Sequence, residues 1–170
     1  MKFHEILEQR KSQIAEKWLK AVIETYPDEA GKFLFENKNQ FGNPVGYTFS
    51  VRLPEILDEL IVPTDPQKLN TAIEDIIKIR TVQDFSPSEA VGFFYLLKKI
   101  IRKEYHHDEK DKMLFGEVLD FESRIDQAVS LAFDIYVGLK EKVFEIKAGE
   151  VKARYGKMVD RLNEKYGERE

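Results

Sequence analysis

The sequence predicts an all-α fold, a single-domain bundle of about six helices. Three observations carry that expectation. Apolar residues recur at intervals of three and four along almost the whole chain, and the alternation that marks strands is nearly absent. Asn43-Pro44, Asp65-Pro66 and Ser86-Pro87 each set a side-chain acceptor ahead of a proline, an arrangement that opens helices. In a chain of 170 residues, 42% hydrophobic composition with 12 Phe supplies enough apolar surface for a core. Cysteine is absent, which excludes disulfides, thiolate metal sites and cysteine nucleophiles.

The elements follow in order. A first helix over about 3–25 puts Phe3, Leu7, Ile14, Trp18 and Val22 on one face, and Tyr26-Pro27-Asp28 ends it. A short helix over about 29–40 carries Phe33, Leu34 and Phe35 up to Gly42. Asn43-Pro44 starts the third, with Phe49, Leu53, Ile56, Leu57 and Leu60 inward; Pro54 inside it should kink or split it. Asp65-Pro66 starts the fourth, with Leu69, Ala72, Ile73, Ile76 and Ile77 at helical spacing. Ser86-Pro87-Ser88-Glu89 is a capping box, and the helix behind it buries Ala90, Phe93, Phe94, Leu97 and Ile101.

A long pattern begins at about 109 and steps through Phe115, Val118, Phe121, Ile125, Val129, Ala132, Tyr136, Leu139 and Val143. Gly149 is the expected interruption before a last stretch to about 166. The core should be built by Trp18, Phe49, Ile73, Phe93, Phe94, Leu97, Ile125 and Phe133. With no linker or repeat, residues 1–170 are read as one helical domain, with 144–166 as a C-terminal amphipathic helix.

Charge and motifs exclude several functions. Lys and Arg number 27 against 31 acids, a net charge of −4, so nothing points to nucleic acid. The longest apolar run, 90–97, is far short of the roughly 20 residues that cross a bilayer, so no membrane insertion is expected. The mixed-charge N-terminus does not resemble a signal peptide, and a cytoplasmic location is expected. His106-His107-Asp108 could supply metal ligands, but it reads better as a solvated turn, and His4 is a poorer candidate. No histidine lies within an apolar helix to hold a haem, and Ser86, Ser88 and Ser130 lack a nucleophile elbow. No phosphate-binding glycine loop is present. No cofactor, metal or catalytic residue is therefore expected.

Polar residues in apolar surroundings are the more informative candidates. Arg80 closes an Ile-rich helix and is followed by Gln83 and Asp84; Asp126 and Asp134 lie on nearly one face of the long helix. A buried charge needs a partner, so Arg80 should face inward and pair with Asp126 or Asp134, or less favourably with Asp84. Such a network is either an internal tie between helices or the polar floor of a small-molecule pocket. Further on, Phe144, Ala148, Val151, Tyr155, Met158 and Leu162 follow heptad spacing. That seam either folds back on its own bundle or pairs with a protein partner or a second copy, giving a homodimer.

Three stretches carry a family resemblance. Phe41-Gly42-Asn43-Pro44-Val45-Gly46, the run Ile79 to Phe93 with Arg80-Thr81-Val82-Gln83-Asp84-Phe85-Ser86-Pro87-Ser88 at its centre, and Arg124-Ile125-Asp126 through Tyr136 resemble the N-terminal domain of RsbRD-type RsbT co-antagonist proteins. The resemblance covers about residues 5–165. It implies a sensory or regulatory input domain of stressosome type, related to stress-response signal transduction, with a fold that in some relatives resembles a globin without haem. It brings no catalytic residues, and 170 residues leave no room for a further output domain, so a standalone input domain is expected. The resulting expectation is a non-enzymatic regulatory module that binds a small ligand or a protein. The alternative is a small enzyme, or an accessory factor of a redox complex, whose site has no motif.

Overall fold

The computed structural model describes residues 2–36, 39–83, 85–105 and 112–167, with Lys112 and Met113 described by their backbone only. Seven helices and no strand occur among them: α1 (Phe3–Ile23), α2 (Asp28–Glu36), α3 (Pro44–Ile61), α4 (Pro66–Val82), α5 (Pro87–Val91), α6 (Phe93–Tyr105) and α7 (Lys112–Tyr166). The all-α expectation holds. The chain divides into two compact units, Met1–Tyr136 and Val137–Glu170.

In the first unit α1 packs against α3 and α6, α3 against α4, and α2 closes on α1 and α3. Seven of the eight residues expected in the core are buried: Trp18, Phe49, Ile73, Phe93, Phe94, Leu97 and Ile125. Phe133 is the correction, at 46% exposed. On α7 the buried stripe runs Phe121, Ile125, Ala128, Ala132 and Tyr136 at steps of four, three, four and four, and Phe133 lies one residue off it.

The prolines and caps act locally. Asn43, Asp65 and Ser86 accept from Gly46, Gln67 and Glu89 N–H groups respectively, and Glu89 completes the box by accepting from Ser86 N–H. Pro54 does not split α3, which runs unbroken from Pro44 to Ile61. A break falls instead at Gly92, between α5 and α6, where one helix was expected. There the Trp18 indole N–H donates to the Phe93 carbonyl at 2.7 Å, and the indole stacks on the Phe93 ring. A bond from a distant element thus fixes the turn.

Asn43 is more than a cap. Its side-chain amide also donates to the carbonyls of Leu34 (3.0 Å) and Phe33 (3.3 Å), fastening the end of α2 to the start of α3. Gly46 is where this clasp closes, since a Cβ there would collide with the Asn43 amide and the Leu34 carbonyl. Gly46→Ala must therefore push the clasp apart, and overpacking of this kind costs about 1–3 kcal/mol. Urea unfolding checks it: a midpoint equal to that of the natural protein would show that the clasp yields freely.

The link from α3 to α4 is organised by one buried carboxylate. Glu59 accepts from the N–H groups of Thr64 (2.8 Å) and Asp65 (2.9 Å) and from the Thr64 hydroxyl (2.6 Å). The bond from Asp65 first, then that from Thr64, holds its carboxyl below the ordinary value of 4.5. A carboxyl whose folded pKa is depressed stabilises the fold above its unfolded pKa, and that stability is lost as pH falls through the folded pKa. Glu59→Gln should thus be less stable than the natural protein at neutral pH, with the difference shrinking as acid is added. Parallel urea titrations at neutral and acid pH measure it, and a constant difference would contradict it.

The start of α7 is tied to the bundle by charge-assisted bonds. Arg102 grips the buried Glu122 with Nε and Nη2, both at 2.6 Å. Arg124 Nη1 donates to the carbonyls of Leu60 (3.1 Å) and Ile61 (3.0 Å), capping the C-terminal turn of α3. Phe3 places its ring edge against Phe121 and its N–H on Glu117. Helix α7 then continues through Gly149 without a break.

Candidate functional site

Arg80 faces inward, as expected, and is 1% exposed. Its partners differ from the expectation. No carboxylate pairs with it among the described residues; Nη1 donates to the Glu89 carbonyl at 2.9 Å and Nη2 to Thr25 Oγ1 at 3.4 Å. Four rings surround the guanidinium: Phe85 at 4.8 Å, Phe93 at 5.4 Å, Tyr26 at 5.8 Å and Phe49 at 5.9 Å from their centres. Aromatic faces and a carbonyl compensate the cation. Burial lowers its pKa, while Tyr26 and Glu89 act in the other direction. Burial likewise raises the Tyr26 phenol, against the opposing effect of Arg80.

The residues after Arg80 build this cage. The Phe85 N–H donates to the Arg80 carbonyl at 3.2 Å, a reach of five residues that brings the Phe85 ring over the guanidinium. Exposed Gln83 accepts from the Tyr26 hydroxyl at 2.8 Å, and the Tyr136 hydroxyl donates to the Phe85 carbonyl at 2.8 Å. Asp126 is exposed and holds Lys98 with both oxygens, at 2.7 and 2.8 Å, and Asp134 is also exposed. The expected Arg80–Asp126 or Arg80–Asp134 pair is therefore absent. Asp84, like His106, His107 and Asp108, lies outside the described residues. The structure brings Arg80 and Gln83 together through Tyr26 and leaves the two aspartates elsewhere. Arg80 is buried within the cage, and its contacts link α4 to the Glu89 carbonyl of α5 and the Phe93 ring of α6.

Sequence reasoning missed the cage because its rings come from four separate segments. The one local signal was Phe85 five residues beyond Arg80. A surface cleft of about 290 Å³ lies nearby, walled by Ile23, Tyr26, Gly31 and Phe35 and rimmed by Lys20 and Lys32. No group of three or more metal-ligating side chains occurs among the described residues, and none of the helices is long and apolar enough to cross a membrane.

The second unit carries the other candidate surface. Phe144, Val151, Tyr155, Met158 and Leu162 line one face of α7 at heptad spacing and all are exposed, Phe144 by 68% and Tyr155 by 63%. Gly149 and Gly156 lie off this seam with open space around them.

A family model for the RsbT co-antagonist protein rsbRD N-terminal domain matches residues 12–148. The chain belongs to the RsbRD N-terminal domain family. Membership identifies it as a regulatory input domain of stressosome type. The matched residues include the Asn43 clasp, the Arg80 cage and the Arg124 cap, so each sequence stretch behind the resemblance has a structural task in this RsbRD N-terminal domain. An uncharacterized protein of Archaeoglobus fulgidus is 27% identical over 86 residues, covering 50% of this chain and 53% of its own length. The chain thus spans about half the length of that curated relative. No solved structure matches it.

Proposed function

We propose that this RsbRD N-terminal domain is a non-enzymatic regulatory module that acts by binding a protein along the exposed seam of α7. The observation that carries this reading is the row Phe144, Val151, Tyr155, Met158 and Leu162, five large apolar side chains left to solvent at heptad spacing. Scattered exposed apolar residues need no explanation, but a continuous stripe of this length does. Coiled-coil contacts are made by such stripes, each side chain entering a hole between four residues of the facing helix. The occupant is a protein partner or a second copy. A small ligand entering the cleft beside Tyr26 and Phe35 would reach the outer wall of the Arg80 cage and so bear on the bundle.

The experiment places a photoreactive amino acid at Met158 of the full chain, in the cell that makes it, and irradiates. A single crosslinked species of defined mass is expected, and none from the same probe at Ala153 on the opposite face. Equal labelling at both positions, or none at either, would defeat the reading.

A further inference from the structure

In the heptad register of the seam, Ala148, Tyr155 and Leu162 occupy a, and Phe144, Val151 and Met158 occupy d. The flanking g positions then hold Lys147, Arg154 and Arg161, three cations spaced by seven. The opposite flank, e, holds Glu145, Lys152, Val159 and Tyr166. All seven are exposed, and Lys147, Arg154 and Arg161 meet no carboxylate among the described residues.

These flanks discriminate between occupants. Against an antiparallel second copy, g faces g, and cation meets cation at each level. Against a parallel copy, g faces e of the following heptad: Lys147 opposes Lys152, Arg154 meets Val159, and Arg161 meets Tyr166. The one opposite-charge pairing of that arrangement, Lys140 with Glu145, lies at the very start of the seam. Self-pairing therefore leaves the cation row unmatched in both orientations. A lipid surface fits poorly as well, because Glu145, Glu150, Asp160 and Glu164 are interspersed among the cations of the polar face.

We infer that the seam docks an amphipathic helix of a different protein, one that carries carboxylates on the flank facing Lys147, Arg154 and Arg161. In a parallel pair those carboxylates stand at the partner's e positions, in an antiparallel pair at its g positions. This rests on the reading that α7 is a protein-binding helix and names the chemistry of its occupant.

Two synthetic helical peptides of about four heptads test it. They share one apolar seam and differ only in having Glu or Lys at every e and g position. Binding to the full chain is read by fluorescence anisotropy. The Glu-flanked peptide should bind roughly tenfold more tightly than the Lys-flanked one. That preference should vanish near 1 M salt, where the screening length falls to about 3 Å, and should reverse in the triple variant K147E/R154E/R161E. Equal affinity for both peptides would overturn the inference and leave the helix-binding reading standing. Binding of neither peptide would overturn both. Tight self-association of the natural chain that the triple variant does not strengthen would show a second copy to be the occupant. Preferential binding to phosphatidylserine vesicles would show a lipid surface to be one.

Discussion

Replacing Arg80 with Ala should lower the free energy of unfolding by about 3–5 kcal/mol, the range for truncating a large buried side chain. For a chain of this size that is a fall in melting temperature on the order of 10 °C. The cost arises from the cavity left among Tyr26, Phe49, Phe85 and Phe93 and from the lost bond to the Glu89 carbonyl. A second variant separates shape from charge. Arg80→Met fills most of the same space, and it removes a cation whose Nε has no hydrogen-bond partner among the described residues. It should recover more than half of the loss suffered by Ala. If Arg80→Met melts as low as Arg80→Ala, the attraction between cation and rings outweighs the filling of space. An Arg80→Ala variant that melts like the natural protein would refute the cage as a stabilising device.

Trp18→Ala should have an effect of similar size, about 3–5 kcal/mol. Trp18 is fully buried, stacks on Phe93, lies beside Phe94 and donates its indole N–H to the Phe93 carbonyl. Trp18→Phe keeps most of the packing and loses the bond, at a cost of about 1–2 kcal/mol. Because Trp18 is the only tryptophan, far-UV circular dichroism in urea is the measurement for these variants. If Phe is as damaging as Ala, the indole bond at the α5–α6 turn carries nearly the whole effect. If Ala is as benign as Phe, the stacking carries little.

What could be read from sequence was whatever is decided within one turn of chain. Asn43, Asp65 and Ser86 cap the helices they precede because a side-chain oxygen needs only an N–H two or three residues onward. The break at Gly92 was illegible for the opposite reason: the indole that holds it arrives from residue 18. Arg80 could be placed inside, since it closes an apolar helix, but its partners could not. Asp126 has the right spacing and sign, yet Lys98 reaches it first, and the cage around Arg80 comes from residues 26 to 93. Phe133, expected in the core, lies one residue out of phase with the buried stripe. Ala128 and Ala132, small as they are, occupy the buried stripe, and the large ring beside them stays outside. The seam on α7 was legible as a pattern. Its exposure was not, because spacing alone does not say whether a face is covered.

Gly149 and Gly156 have a consequence for how occupancy of α7 can be registered. Each weakens a helix by roughly 1 kcal/mol relative to Ala, and both stand in a stretch whose side chains are all exposed. Helix stability in proteins comes mostly from a packed face, and isolated helices are marginal even without glycine. Amides from Ala148 to Tyr166 should therefore exchange with deuterated solvent far faster than those of the Trp18 and Ile73 helices, through openings that leave the bundle folded. A bound helix would suppress those openings along the whole stretch at once. A docked state would then differ from the free one by the persistence of hydrogen bonds that already exist, and would be recognisable by that firmness without any change of shape.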